Sequence, residues 1–234
     1  MDRGWGALPF DNQGDLSDWQ DLLGQRFKSA PWVEMHESKI ILRSSDLNLL
    51  GTSEEVRSHA IELISLLNGA LALSEGSRPV SFGGVAEFTP KGVRYIVHGE
   101  MHSEVRMKVR AIGVACGSDG NPLPHIPQPS APQKWAATAD SCEVLRDALI
   151  YFGRPNSWFD IYKCIECVEV VYGGEHRLRK AKDSNGQIKR MKETANFFRH
   201  HRTHKPQNLM DIKDARKLLS SLLQDVLNDK EAAT

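Results

Sequence analysis

Residues 117–134, GSDGNPLPHIPQPSAPQK, hold Pro122, Pro124, Pro127, Pro129 and Pro132. Proline lacks an amide hydrogen and has a fixed φ, so a run this dense belongs to neither a helix interior nor a sheet ladder and favours extended polyproline geometry. The run divides the chain. Residues 1–116 are expected as an α+β domain, 117–134 as a proline-rich linker and 135–234 as a helical bundle. The alternative is an ordered crossover held over the surface of one body by packing.

The two sides differ in period. Lys39–Arg43, KIILR, reads as a strand, and Thr52-Ser53-Glu54-Glu55 offers a Thr-x-x-Glu capping box opening a helix with Val56, Ala60, Leu63, Ile64, Leu67 and Leu71 on one face. Over 79–116 the segments PVSFGG, VAEFT, VRYIVHGEM and VRMKVRAIGVA read as strands punctuated by Gly and Pro. Beyond the proline run the patterns are helical. Residues 136–152 form the first expected helix, ended by Gly153-Arg154-Pro155. Ser157 caps a second carrying Trp158, Ile161, Tyr162, Ile165, Val168 and Tyr172 until Gly173-Gly174 stops it. A third covers about 188–198, and a fourth, 212–227, is capped by Asp211. The expected fold class is α+β: a small antiparallel sheet plus a helix in the N-terminal half, and a four-helix-type bundle in the C-terminal half.

At 234 residues the chain buries enough surface to need no metal or disulfide staple. The opening MDRGWGALPFDNQGDLSDW places acids, prolines and glycines where a secretory signal needs an apolar run, and no apolar run approaches spanning length. A cytoplasmic protein with no membrane association is expected. Cys116, Cys142, Cys164 and Cys167 show no framework spacing, so reduced thiols are expected.

Net charge is +0, which argues against coating nucleic acid through bulk charge. The charge is unevenly spread, however: residues 173–205 carry ten Lys/Arg against three acids and four of the nine histidines. Such a block is the footprint of a phosphate-rich partner, RNA among them; a solvated helix face is the plainer reading.

Chemistry-bearing side chains are densest at Arg199-His200-His201-Arg202-Thr203-His204, between the third and fourth expected helices. Histidine exchanges protons near neutral pH, and arginine grips phosphate bidentately while staying charged. Together they can cleave RNA without a metal: imidazole takes the 2′-hydroxyl proton, the oxygen attacks phosphorus, and guanidinium offsets the growing charge. Positions i and i+5 of an unbroken helix point about 140° apart, so Arg199 and His204 converge only if the helix ends before Lys205-Pro206. Pro206 favours that ending.

Arg199 to His204 is an Arg-x-x-x-x-His string with a polar residue after the arginine, set between two bundle helices. In this it resembles the motif of the HEPN superfamily of helical-bundle domains, over about residues 135–227. Many members are metal-independent ribonucleases of toxin, abortive-infection and antiviral systems, working as dimers with facing motifs; others bind without cutting. The resemblance implies Arg199 and His204 as the catalytic pair with His200 at the polar position, no cofactor, and a homodimer. His201, Arg202, Lys205 and Lys192 are the expected substrate-binding cations of the basic segment.

Other readings compete. An Arg/His cluster at a helix C-terminus also complements the helix dipole. Cys164-Ile165-Glu166-Cys167 could join His200 and His204 in a zinc site, but both cysteines fall in a periodic helix where small apolar residues pack, so core thiols and no metal are expected. Glu166 and Glu169 either orient a guanidinium of Arg199 or Arg202 or form a polar stripe. The five tryptophans share no spacing and read as packing anchors. The rival from another class is an adaptor whose N-terminal domain binds a protein partner.

Overall fold

The computed structural model describes residues 4–10, 16–28, 30–97, 127–154, 157–200 and 206–232. The chain is α+β. Five strands, β1 (Gly4–Phe10), β2 (Trp32–His36), β3 (Lys39–Arg43), β4 (Ser81–Thr89) and β5 (Gly92–Val97), form one antiparallel sheet in the order β2-β3-β1-β4-β5. The strand expected at KIILR is β3, and PVSFGG and VAEFT contribute to a single strand, β4. The expected strand VRMKVRAIGVA lies outside the described residues.

The central strand, β1, has a proline in it. Its register against β4 shifts between Leu8 and Pro9, and at such an irregularity the missing amide breaks no regular ladder. The β2–β3 hairpin turns at Glu37 and Ser38, both with positive φ (47° and 65°), the conformation a two-residue hairpin needs to match strand twist.

A short helix, α1 (Leu16–Leu23), buries Trp19 fully. The long helix α2 (Ser53–Glu75) begins at the expected capping box. Thr52 Oγ1 accepts from Glu55 N at 3.3 Å, and Glu55 Oε2 accepts from Thr52 N at 3.0 Å, an arrangement that stabilises a helix start by about 1 kcal/mol. Gly76, at φ 66°, ends it. Its apolar side chains Val56, Ala60, Leu67 and Leu71 have no exposed surface. Among the described residues no helix is long and apolar enough to cross a membrane.

Six helices follow: α3 (Ala131–Asp140), α4 (Glu143–Gly153), α5 (Trp158–Val171), α6 (Glu175–Lys182), α7 (Gln187–His200) and α8 (Ile212–Ala232). The helix expected at 136–152 is two, separated by Ser141 and an extended Cys142. The Ser141 hydroxyl donates to the Thr138 carbonyl at 2.8 Å, a local bond that competes with helix continuation. The last four residues of the expected linker belong to α3. Ser130 caps it in a capping box with Gln133, and Pro132 sits in the first turn, where its missing N–H is no loss. The unexpected α6 buries only Leu178.

One continuous apolar cluster runs from Trp5 and Val85 of the sheet through Leu67 of α2 to Leu149 and Ile165 of the helical half. Polar ties accompany it. Gln133, with no exposed surface, donates from Nε2 to the carbonyls of Gln25 and Pro31 at 2.8 and 3.0 Å, and Gln224 Nε2 donates to the Leu73 carbonyl at 3.0 Å. At the crossing of α2 and α4 the backbones touch. A methyl added at Gly153 would lie 2.6 Å from Gly69 N, and one at Gly69 would overlap the Leu149 carbonyl.

Candidate nucleic-acid interface

The helix at whose end the basic cluster begins, α7, is anchored along its length. At its start Asp183 accepts from the amides of Ile188 and Lys189 at 2.8 and 3.2 Å, satisfying donors the helix leaves open. Near its middle Thr194, fully buried, donates to the Arg190 carbonyl and accepts from Met210 N at 3.0 Å. Arg190 donates to the carbonyls of Asn208 and Leu209 at 3.0 and 2.6 Å. The segment leading into α8 is thereby tied back along α7. As expected, Asp211 caps α8, accepting from Lys213 N at 2.8 Å.

At the far end of α7, Arg199 meets α5. Its guanidinium carbon lies 3.9 Å from the Tyr162 ring centroid, within cation–π range, and its Nε and one terminal nitrogen lie 3.1 and 2.9 Å from His200 Nε2. Among the described residues no carboxylate pairs with Arg199. One turn back on α5, Trp158 stacks on Phe198 with ring centroids 5.6 Å apart and planes 6° from parallel. Phe197 meets Phe198 edge-on at 5.1 Å. Two consecutive residues of α7 are thus held by two aromatic residues four apart on α5, the spacing that puts side chains on one helical face.

Several other cations of the basic segment are paired with carboxylates. Lys192, expected as a phosphate ligand, lies with Nζ 2.6 Å from Glu169 Oε1 and 2.8 Å from Glu175 Oε2, its side chain only 12% exposed. Two carboxylates already share its charge, so the structure does not leave it open to phosphate. Burial pulls the Lys192 ammonium down, but the hydrogen bonds it donates to Glu169 and Glu175 outweigh it and hold the pKa above its ordinary value. Burial pushes the Glu169 carboxyl up against the opposing bond from Lys192. Glu166 pairs with Lys163 at 2.9 Å, so neither glutamate orients Arg199. Lys182 pairs with Asp225 at 2.7 Å and Arg179 with Asp183 at 3.4 Å.

Comparison with known protein families, curated proteins and solved structures finds no match to this chain.

Of the expected site residues, the structure brings Arg199 and His200 together and commits Lys192 elsewhere. His201, Arg202, His204 and Lys205 lie outside the described residues. Cys164 is fully buried, with its sulfur 3.3 Å from the Ala148 carbonyl, and burial raises its thiol well above the usual range. Cys167 is half-buried, and burial pushes it up to about 11. These are packed thiols, in keeping with their place on the apolar face of α5. Among the described residues no three His, Cys, Asp or Glu side chains gather in a way that could hold a metal ion.

Trp158, Tyr162 and Phe198 carry no site role by sequence pattern alone, since the first two fall on the apolar stripe of α5. A signal was present in the adjacency of Phe198 and Arg199 at the end of a helix that otherwise carries few aromatics.

Proposed function

We propose that the chain acts on RNA as a HEPN-like, metal-independent ribonuclease, with Arg199 and His204 as the catalytic pair and His200 beside them. The observation that carries this reading is the state of Arg199: it is fixed by Tyr162, adjoins an imidazole, and pairs with no carboxylate among the described residues, while Lys192, Lys182 and Arg179 are each paired. A guanidinium so placed is preorganised for phosphate, since it needs only to exchange the His200 contact for a phosphoryl oxygen.

In the proposed reaction the His204 imidazole takes the proton of a 2′-hydroxyl. The freed oxygen bonds to the adjacent phosphorus, Arg199 offsets the charge on the non-bridging oxygens, and the bond to the 5′-oxygen breaks as that oxygen takes a proton from solvent water, to which His204 later returns the proton it took. The products are a 2′,3′-cyclic phosphate and a 5′-hydroxyl. A homodimer with facing motifs and a setting in a toxin or antiviral system belong to the same proposal.

The test is incubation of labelled single-stranded RNA with the protein in EDTA. Cyclic-phosphate ends are expected, with cleavage lowered about 100-fold or more in Arg199→Ala and His204→Ala at unchanged helicity. Wild type and variants equally inert across a broad RNA panel would overturn the proposal and leave the partner-binding adaptor in its place.

A further inference from the structure

The ends of α5 and α7 expose aromatic surface beside an arginine that pairs with no carboxylate among the described residues. Phe198 is 45% exposed although its ring stacks on Trp158, and Phe159, next to Trp158 on α5, is 47% exposed. Large exposed rings are normally withdrawn into a core, and this chain has a continuous core to receive them. Among the described residues Phe159 and Phe198 are the two exposed aromatic side chains; Trp5, Trp19, Trp32, Trp135 and Phe152 are each 5% exposed or less, and Phe10, Phe27, Phe82, Tyr95, Tyr151 and Tyr172 are partly buried.

We propose that Phe198, backed by Trp158, is a base-stacking subsite for single-stranded RNA whose phosphate is held by the neighbouring Arg199. The subsite rests on the ribonuclease reading for its substrate class and adds to it a requirement for an unpaired base. Every nucleobase offers a π face, so an exposed ring next to a guanidinium binds a single strand with little regard to sequence. A base paired within a duplex has both faces occupied by its neighbours and cannot take that position without flipping out. The stack fixes the ring in advance. Trp158 lies almost parallel behind Phe198, and Phe197 closes on it edge-first, so little side-chain freedom remains to be lost when a base arrives. Charge agrees with this occupant, because Arg199 and His200 follow Phe198 directly in the chain.

The test separates stacking from charge and binding from cleavage. A short fluorescein-labelled 2′-O-methyl single strand has no 2′-hydroxyl to attack, so its affinity is read by anisotropy without turnover. Three probes are compared: that strand, the same strand with every base removed, and the corresponding duplex. Wild type is expected to prefer the base-bearing single strand to both others by about 10-fold. Phe198→Ala should lose that preference while keeping its affinity for the abasic strand, and Phe198→Tyr, which retains the ring, should restore it. Circular dichroism and thermal midpoint establish that each variant is folded.

Equal binding of base-bearing and abasic strands by wild type, or an unchanged preference in folded Phe198→Ala, overturns the subsite, as does an absence of binding. Base-dependent binding lost in Phe198→Ala upholds the subsite even if ordinary RNA in EDTA is never cut, a result that removes the ribonuclease alone. Cleavage with a KM unaffected by Phe198→Ala does the reverse.

Discussion

The guanidinium carbon of Arg199 lies over the Tyr162 ring, 3.9 Å from its centroid, and this contact sets where the positive charge at the end of α7 sits. The ring face, not the hydroxyl, makes the contact. Under the proposed ribonuclease reading, Tyr162→Phe is therefore expected to leave RNA cleavage within about 2-fold of wild type, and Tyr162→Leu to lower it ~3- to 10-fold, in line with a cation–π contact of about 1 kcal/mol. Steady-state cleavage rates for the two variants, with Arg199→Ala as the floor, measure this.

Lys192 bridges three helices, reaching from α7 to Glu169 on α5 and Glu175 on α6. Lys192→Met leaves the 8% exposed Glu169 without its cation and should destabilise the fold by about 3 kcal/mol in urea. Pairing it with Glu169→Gln should recover part of that loss, as read by a double-mutant cycle.

The same lysine gives stability an alkaline limb. Its folded pKa is raised above the ordinary 10.5, so its contribution is complete below pH 10.5 and is lost as pH climbs through the folded value. Glu169 works in the opposite direction from an ordinary ion-paired acid. Burial raises it above 4.5, so the fold binds its proton more tightly than the unfolded chain does, and its contribution declines as pH rises from 4.5 through the folded value. Glu169→Gln should flatten the acid-side slope and Lys192→Met the alkaline one, in chemical unfolding followed across pH.

The thiols of α5 should be slow to react. With Cys164 fully buried and Cys167 pushed up to about 11, native protein at neutral pH should show little alkylation at either by peptide mass mapping, and full alkylation in denaturant. Rapid native labelling at Cys167 would contradict the burial described for it.

Features set by neighbours in the chain were legible in the sequence. The Thr52–Glu55 capping box, the Asp211 cap and the glycine stop at Gly173-Gly174 all stand where they were read, because each depends on residues a few positions apart. What escaped reading was set at long range. β1 holds two glycines and a proline, and becomes a strand because β3 on one side and β4, more than seventy residues away, on the other pair with it. α6, with a single buried apolar residue, has no stripe to betray it and passed for a run of surface charge. The site divides along the same line. Arg199 and His200 stand out by residue type, whereas the pairing of Lys192 depends on Glu169 and Glu175 from two other helices, which no local pattern reveals.

The glycine contact between α2 and α4 should not tolerate a side chain. Gly69→Ala or Gly153→Ala forces the helices apart and should cost about 1–3 kcal/mol each, with the pair of substitutions less than additive because one separation serves both. Thermal and urea unfolding of the three variants measure this. That contact also limits how such a protein can be taken apart in the laboratory or by recombination. Excising the sheet with α2 would bare the flank of α4, where Leu145, Ala148, Leu149 and Phe152 are buried, so a clone of the last hundred or so residues should come out as insoluble material rather than as a smaller working unit.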